Sequence, residues 1–110
     1  MIATDIDPIA IKTTQTNAKI NQVTPYLRTG IADGMEHSLI RDAAPFDLIL
    51  ANMNRNVIEV LIPKFQSSKS TILLSGLLET DYGAIEKLCH NNHLQVKEKI
   101  IKGEWICIVI

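Results

Sequence analysis

Polar residues follow short apolar runs at four places in this 110-residue sequence, where buried strands are expected to end. They are Asp5, Asp33, Asn52 and the pair Ser75-Gly76. In an open α/β sheet ligands bind beyond the carboxyl ends of the strands, so we expect these positions to converge on one rim. A carboxylate at such a strand end, just before a helix, is placed to accept hydrogen bonds from two ribose hydroxyls. Asp5 is the candidate for that role.

A simpler role is equally open for Asp5 on spacing alone. Asp5 and Asp7 could both serve only to cap the following helix, because aspartate is a preferred N-cap residue. Asp7 stands directly before Pro8, and proline is favoured at the first helical position. Asp7 therefore has the better capping position, which leaves Asp5 available to a ligand.

Asn52 ends the next apolar run, within Leu50-Ala51-Asn52-Met53-Asn54. Its carbonyl oxygen could accept a hydrogen bond from a substrate N–H while its NH2 group donates elsewhere. An amide cannot take a proton from an ammonium ion, so its role would be to position an amine, with proximity supplying the rate. The alternative is a helix cap, and Asn54 fills that role at least as well.

Other reactive residue types in the sequence favour structural roles. His90 and His93 are three residues apart, but no carboxylate or thiolate with matching spacing accompanies them, so no metal site is predicted. Cys89 shares helical spacing with core positions, and Cys107 also lies in apolar surroundings, so both are predicted to be buried free thiols. Trp105 opens the last apolar run, and we interpret it as a core anchor rather than a ligand platform.

The composition is that of an ordinary soluble globular protein, with 46% hydrophobic and 21% charged residues and a net charge of -1. Without a basic excess, neither nucleic acid nor an anionic membrane surface is expected as a direct partner. Free thiols indicate a reducing compartment, and no apolar run approaches the roughly 20 residues of a membrane helix. We therefore expect a cytoplasmic protein.

Apolar periodicity predicts one α/β domain over residues 1–110. Short buried strands alternate with helices, which is typical of a parallel sheet with crossover helices on its faces, and a hairpin adds an antiparallel strand at the end. The predicted strands cover residues 2–5, 26–29, 46–51 (buried on both faces), 71–74 (ending at Ser75-Gly76), 94–101 (an edge strand) and 104–110, with a turn at 102–103. The first predicted helix runs from Pro8 to about Asn21. The second begins at Asn54 and is interrupted at Pro63, and the third ends at Asn91-Asn92. The stretch 33–42 is mostly a connection.

Five segments, in order along the chain, resemble the ribosomal protein L11 methyltransferase family. They are I-A-T-D-I-D-P-I-A-I at 2–11, N-A-K-I-N at 17–21, F-D-L-I-L-A-N-M at 46–53, L-S-G-L-L at 74–78 and E-W-I-C at 104–107. D-I-D-P and A-N-M would match many class I methyltransferases, whereas L-S-G-L-L and the terminal E-W narrow the choice.

The resemblance implies a Rossmann-like sheet, S-adenosyl-L-methionine as methyl donor and amino groups of a ribosomal protein as acceptors. Carried over from the family, Asp5 would bind the ribose hydroxyls and Ile6 would be a further cofactor-binding residue. Ala32 and Asp33 would lie near the adenine, and Asn52 would lie beside the transferred methyl as the catalytic residue.

The family also has a first strand and a glycine-rich loop before the D-I-D-P segment, and the five glycines of this chain form no such loop. We therefore expect the C-terminal part of a methyltransferase catalytic domain, lacking that strand and loop. A non-enzymatic module remains as the alternative, in which a second copy or a partner chain completes the sheet, because an exposed strand edge is a template for pairing. A dinucleotide-dependent oxidoreductase ranks last, since the sequence has no G-x-G-x-x-G turn.

Overall fold

The computed structural model describes residues 1–110, which form an α/β structure of two compact units, residues 1–44 and residues 45–110. Each unit contains its own sheet, one of two strands and one of four. No helix has both the length and the apolar character that crossing a membrane would require.

The first unit is a strand, helix, strand motif with a short helical extension. Its elements are β1 (Ile2–Asp5), α1 (Pro8–Ile20), β2 (Arg28–Ile31) and α2 (Ser38–Arg41). β1 and β2 pair in parallel, which requires a crossover connection, and α1 supplies it. Ile11 and Ala18, on one face of α1, are buried as predicted. β2 begins two residues later than predicted, because Thr24–Tyr26 form a 3₁₀ turn around Pro25.

The second unit contains the larger sheet. Its elements are β3 (Leu48–Asn52), α3 (Arg55–Leu61), β4 (Thr71–Leu78), α4 (Tyr82–Asn91), β5 (Glu98–Lys102) and β6 (Trp105–Val109), in the sheet order β3-β4-β6-β5. β3 and β4 are parallel, and β6 is antiparallel to both β4 and β5. The antiparallel C-terminal hairpin and the edge position of β5 are confirmed, although β5 starts only at Glu98. As predicted at Pro63, α3 gives way to a 3₁₀ segment, Ile62–Phe65.

One face of the four-stranded sheet forms the core of this unit. Lys99 is paired with Ile108, which is buried, so both side chains lie on the same face of the sheet. The Lys99 Nζ lies 4.2 Å from the centre of the Tyr82 ring, at the start of α4. α4 therefore covers this face. The fully buried side chains of the helical segments and the sheet that meet there are Ile58, Ile62, Phe65, Ile72, Leu74, Leu77, Ile85, Cys89 and Ile108.

The prediction that β3 is buried on both faces is wrong. Ala51 is buried, but Leu48 and Leu50, which alternate with it along the strand, are 52% and 66% exposed. β3 is also the outermost strand of its sheet, so the edge away from β4 has no hydrogen-bonded neighbour. An apolar run without alternation indicates a strand that can be covered on both sides, but it does not show that both sides are covered.

The prediction that β4 ends at Ser75-Gly76 is also wrong, because the strand continues to Leu78. The pairing with β6 shifts register between Leu74 and Leu77, and Gly76 has a φ of +78° inside this irregularity. Glycine reaches that backbone region without the Cβ penalty of other residues, so the sequence that looked like a strand end is a bulge within the strand.

The turn before β4 is held by serine side chains. Ser70 is buried, and its hydroxyl donates a short hydrogen bond to the backbone oxygen of Phe46. The Ser68 hydroxyl donates to Ser70 Oγ at 2.9 Å and accepts from Ser70 N at 3.1 Å. These bonds fix the entry of β4 beside the entry of β3.

Candidate functional site

The ends of β1 and β3 share one arrangement, in which two polar residues of the same type stand two positions apart. At the end of β1, Asp7 caps α1, because its Oδ1 accepts a hydrogen bond from Ile9 N at 2.8 Å. At the end of β3, Asn54 caps α3, because its Oδ1 accepts from Val57 N at 3.2 Å. The second residue of each pair is thus the cap. Asp5 and Asn52 each occupy the last position of their strand and cap no helix.

Asp5 is exposed and its carboxylate is fixed at one oxygen. Oδ1 accepts a hydrogen bond from Asp7 N at 2.9 Å, and the structure gives Oδ2 no hydrogen bond. Asp5 is therefore oriented by its own turn and keeps acceptor capacity directed to solvent. The position after it, Ile6, is 68% exposed.

Ala32 and Asp33 follow β2 in the same unit. Ala32 N donates to the backbone oxygen of Asp5 at 3.0 Å, which holds the two strand ends side by side. Ala32 is buried, whereas Asp33 is exposed and its side chain does not cap the 3₁₀ turn that follows it. The structure thus brings Asp5, Ile6, Ala32 and Asp33 together at the carboxyl end of the two-stranded sheet.

These residues fit the nucleoside part of S-adenosylmethionine. A ribose presents two adjacent hydroxyl donors, and the uncommitted oxygen of Asp5 is a charged acceptor for them. An adenine has apolar faces, and Ile6 offers exposed apolar surface next to Asp5. The rim therefore offers one charged acceptor and one exposed apolar side chain to a nucleoside.

Asn52 lies in the second unit, paired in register with Ser75. A Cβ placed on Gly76 would lie 2.8 Å from Asn52 Oδ1 and 2.7 Å from the backbone oxygen of Met53. The amide therefore lies directly against the backbone of the β4 bulge, in space that only glycine leaves open. Gly76 leaves the room that this placement of Asn52 needs, whereas its place in the sequence indicated only a strand end.

A cavity of about 320 Å³ opens beside Asn52. Ser75 and Gly76 line it on the side of β4, and the β5–β6 hairpin lines the other side with Ile100, Lys102, Trp105 and Cys107. The interpretation of Trp105 as a core anchor is wrong, because this side chain is 54% exposed. The sequence did carry one signal for this exposure, the position of Trp105 at the start of a hairpin strand. Side chains at the strand ends of an edge hairpin are less buried than side chains at the strand centres.

Cys89 is buried as predicted, and Cys107 is only partly buried; both thiols are free. Burial raises the pKa of the Cys89 thiol, with a smaller effect from the charge of Glu86. A hydrogen bond to Glu86 raises the pKa of Tyr82, and a hydrogen bond to Glu59 is the main cause that raises the pKa of Arg55. None of the three groups with a raised pKa lines the cavity beside Asn52, and no cluster of three metal-ligating side chains occurs in the structure.

The sheets, crossover helices and strand-end residues define a Rossmann-like α/β protein of the class I methyltransferase type. The sequence model described as Ribosomal protein L11 methyltransferase (PrmA) matches residues 1–110. Curated relatives named ribosomal protein L11 methyltransferase include those of Brucella suis and Mesorhizobium japonicum, each 32% identical over 111 residues and 98% of this chain. The chain belongs to the ribosomal protein L11 methyltransferase family.

Solved structures agree with this assignment. The ribosomal protein L11 methylase of Lactobacillus delbrueckii subsp. bulgaricus superposes with a TM-score of 0.78 at 27% identity, over 98% of this chain and 55% of that one. A precorrin-6y C5,15-methyltransferase from Geobacter metallireducens shares the fold alone, with a TM-score of 0.66 at 12% identity over 98% of this chain and 63% of that one. The chain spans 39% of the length of the Brucella relative and 38% of the Mesorhizobium one.

Proposed function

We propose that this chain serves the S-adenosylmethionine-dependent methylation of amino groups on a ribosomal protein, as a portion of a methyltransferase catalytic domain. The observation that supports it is the division of roles at the strand ends. Asp7 and Asn54 take the helix caps, and Asp5 and Asn52 are left exposed with no capping role. A ribosomal acceptor is met in the cytoplasm, and neither nucleic acid nor a membrane is needed as a direct partner.

In this proposal the first unit binds the nucleoside. Asp5 accepts from the ribose hydroxyls, Ile6 adds apolar contact, and Ala32 and Asp33 lie by the adenine. When bound, S-adenosylmethionine supplies an electrophilic methyl group on its sulfonium centre. Asn52 accepts a hydrogen bond from an N–H of the acceptor amine and so directs the nitrogen lone pair toward the methyl group. The amine proton leaves to water, because an amide is not a base at neutral pH.

Binding of nucleosides tests the role of Asp5. The chain is titrated by calorimetry with adenosine, 2′-deoxyadenosine and 3′-deoxyadenosine. Adenosine should bind about 10- to 150-fold more tightly than either deoxynucleoside, the range expected for loss of a hydrogen bond to a charged group. This ratio is the ribose preference. The Asp5→Ala variant should lose this preference. Asp42→Ala removes another exposed carboxylate and should keep it. An Asp5→Ala variant with the full ribose preference would contradict the assignment.

Methyl transfer tests the role of Asn52. The chain is mixed with S-adenosylmethionine carrying a labelled methyl group and with ribosomal protein L11, and the label on the protein is counted. Asn52→Ala should lower the rate roughly a hundredfold, because misplacement of a reacting group by about 1 Å costs that much. Asn56→Ala, an exposed asparagine on α3, is the matched control and should keep the rate. Equal rates for the two variants would remove Asn52 from the reaction.

The outer edge of β3 favours a second candidate, self-association through the sheet. This edge has no hydrogen-bonded neighbour, and Leu50 on the same strand is 66% exposed. Unpaired backbone groups beside apolar side chains are a template for strand pairing. We propose that two copies, or this chain and a partner, pair there.

Sedimentation of the purified chain tests this second candidate. Self-association should appear as a mass that rises with concentration, and Leu50→Lys should shift it to the monomer, because a charge at an edge opposes pairing. Val60→Lys changes a residue of similar exposure on α3, 64%, and should leave the mass unchanged. A chain that stays monomeric at every concentration contradicts self-association and leaves the methyltransferase proposal intact.

A further inference from the structure

Arg55 occupies the first position of α3, where the helix itself does not favour a cation. The N-terminus of a helix carries partial positive charge, and the first turn of α3 contains no acidic residue to offset it. Arg55 Nε donates to Glu59 Oε1 at 2.6 Å, but a cation four residues before a carboxylate is the weaker order for such a pair. The helix therefore does not account for an arginine at this position.

The second contact of Arg55 is with Asp81, 26 residues later in the chain. Arg55 Nη1 donates to Asp81 Oδ1 at 3.4 Å, and the Asp81 side chain is only 16% exposed. Asp81 Oδ2 accepts a hydrogen bond at 3.0 Å from the backbone N–H of Leu78, the last residue of β4. Asp81 directly precedes α4 but makes no capping bond to it. Its carboxylate instead joins the start of α3 to the end of β4.

The turn that carries Asn52, residues 52–55, is tied to β4 at two places. A backbone hydrogen bond from Met53 N to Ser75 O, at 3.1 Å, ties it just before the Gly76 bulge. The ion pair ties it to the end of β4, just after the bulge. The two ties therefore lie on either side of the place where Asn52 approaches Gly76.

The Asn52 side chain depends on its backbone for its position. Its amide makes no hydrogen bond within the chain. It lies against the β4 bulge, where a Cβ on Gly76 would be 2.8 Å from Asn52 Oδ1. An amide placed in this way must follow any movement of the turn 52–55 relative to β4.

We propose that Arg55 and Asp81 are positioning residues, whose ion pair holds the turn 52–55 against the β4 bulge and so keeps Asn52 in place for methyl transfer. This inference rests on the proposed function, in which Asn52 orients the acceptor amine. A partly exposed ion pair contributes little to stability. Misplacement of a reacting group by about 1 Å, in contrast, can cost about a hundredfold in rate. The pair should therefore matter more for the reaction than for the fold.

Methyl transfer by matched variants tests the pair. Arg55→Gln removes the cation, and Asp81→Asn removes the anion while keeping an oxygen for the Leu78 N–H. Each should lower kcat about tenfold with little change in KM, a smaller loss than that of Asn52→Ala because the backbone tie to β4 remains. Glu59→Gln removes the other partner of Arg55 and should keep the rate. Full kcat in both Arg55→Gln and Asp81→Asn would overturn the proposal.

Combined variants distinguish positioning from general support of the fold. Arg55→Gln together with Asp81→Asn should lower kcat no further than either change alone, since both remove the same pair. Arg55→Gln added to Asn52→Ala should cause no further loss, because the pair acts through Asn52. A further tenfold loss on the Asn52→Ala background would show that Arg55 acts by another route and would refute the positioning role.

Stability is the readout that a purely structural role would move. In urea denaturation, Arg55→Gln and Asp81→Asn should each change the equilibrium constant of unfolding by less than about fivefold. A loss of stability that leaves either variant unfolded at the assay temperature would show that the pair supports the fold, and it would contradict the proposal.

NMR relaxation separates this inference from the proposed function, because it needs neither cofactor nor methyl transfer. Backbone order parameters of the turn 52–55 should be about 0.85 in the unchanged chain and in Glu59→Gln. They should fall below about 0.6 in Arg55→Gln and Asp81→Asn. Loosening of the turn supports the positioning role even if the chain transfers no methyl group. A turn that stays equally rigid in both variants refutes that role and leaves the proposed function intact.

Discussion

Replacing Gly76 with alanine puts a methyl group into space that Asn52 and Met53 already occupy. Gly76 has a φ of +78°, a backbone conformation that residues with a Cβ rarely adopt. The added Cβ would lie 2.7 Å from Met53 O, 2.8 Å from Asn52 Oδ1 and 3.0 Å from Met53 N. Two of the three neighbours are backbone atoms, so the end of β3 must move or the β4 bulge must open.

The cost has two separable parts. The left-handed backbone costs an alanine roughly 1–2 kcal/mol. Close contacts in a well-packed region add about 1–3 kcal/mol, because neighbouring atoms leave their preferred positions. We therefore expect Gly76→Ala to lower the free energy of unfolding by about 2–5 kcal/mol in total, a large share of the 5–15 kcal/mol that a typical domain has.

Gly103 provides the control that isolates the second part. It also has a positive φ, +64°, but no atom lies within 4 Å of the Cβ that alanine would add. Gly103→Ala should therefore show only the backbone cost of roughly 1–2 kcal/mol. Gly83, in α4, also has open space around its Cβ position, and Gly83→Ala should stabilise the chain by roughly 0.5–1 kcal/mol.

Urea denaturation followed by Trp105 emission measures all three variants within the second unit. The decisive quantity is the difference between Gly76→Ala and Gly103→Ala, which should be about 1–3 kcal/mol. Equal losses for the two variants would refute the reasoning, because the approach of Gly76 to Asn52 and Met53 would then have no energetic effect. A displaced Asn52 should also lower methyl transfer in Gly76→Ala at temperatures where the variant stays folded.

Three further predictions concern the caps, the serine turn and the buried thiol. Asn54→Ala should cost about 1 kcal/mol in urea denaturation through the lost cap of α3, whereas Asn56→Ala should change stability little. Ser70→Ala should cost about 1–3 kcal/mol by the same measurement, because the buried backbone oxygen of Phe46 loses its donor. Burial raises the pKa of the Cys89 thiol above its ordinary value of 9.0. The thiol of the unfolded chain therefore ionises first as the pH rises. The contribution of Cys89 to the free energy of unfolding is full below pH 9 and declines at higher pH. Iodoacetamide should accordingly modify Cys107 in the folded chain and Cys89 only after unfolding, as mass spectrometry of the peptides would show.

The elements that sequence reasoning predicted well are those with a local cause. Asp7 and Pro8 define the start of α1 through a side-chain hydrogen bond and a fixed φ, and both effects act within one turn. Pro63 ends α3 for an equally local reason. The end of β4 was missed because it depends on pairing with β6, which comes about 30 residues later in the sequence.

The candidate site divides in the same way. Asp5 and Asn52 were predicted from strand ends, and the sequence favoured Asp7 and Asn54 as the caps, which their hydrogen bonds confirm. Trp105 was misjudged because its exposure is set by what covers the hairpin, which no local pattern reports. Gly76 matters through its close approach to Asn52 and Met53, which joins segments more than twenty residues apart.

The D-x-D and N-x-N pairs at the ends of β1 and β3 have a consequence for how such a protein can change. If one residue both capped a helix and bound a ligand, every change in chemistry would also weaken the fold. With the two tasks on separate residues, substitutions at Asp5 or Asn52 can alter what is bound while the capping hydrogen bonds of Asp7 and Asn54 remain. Variation in ligand choice then costs these helices less stability than the loss of a cap would.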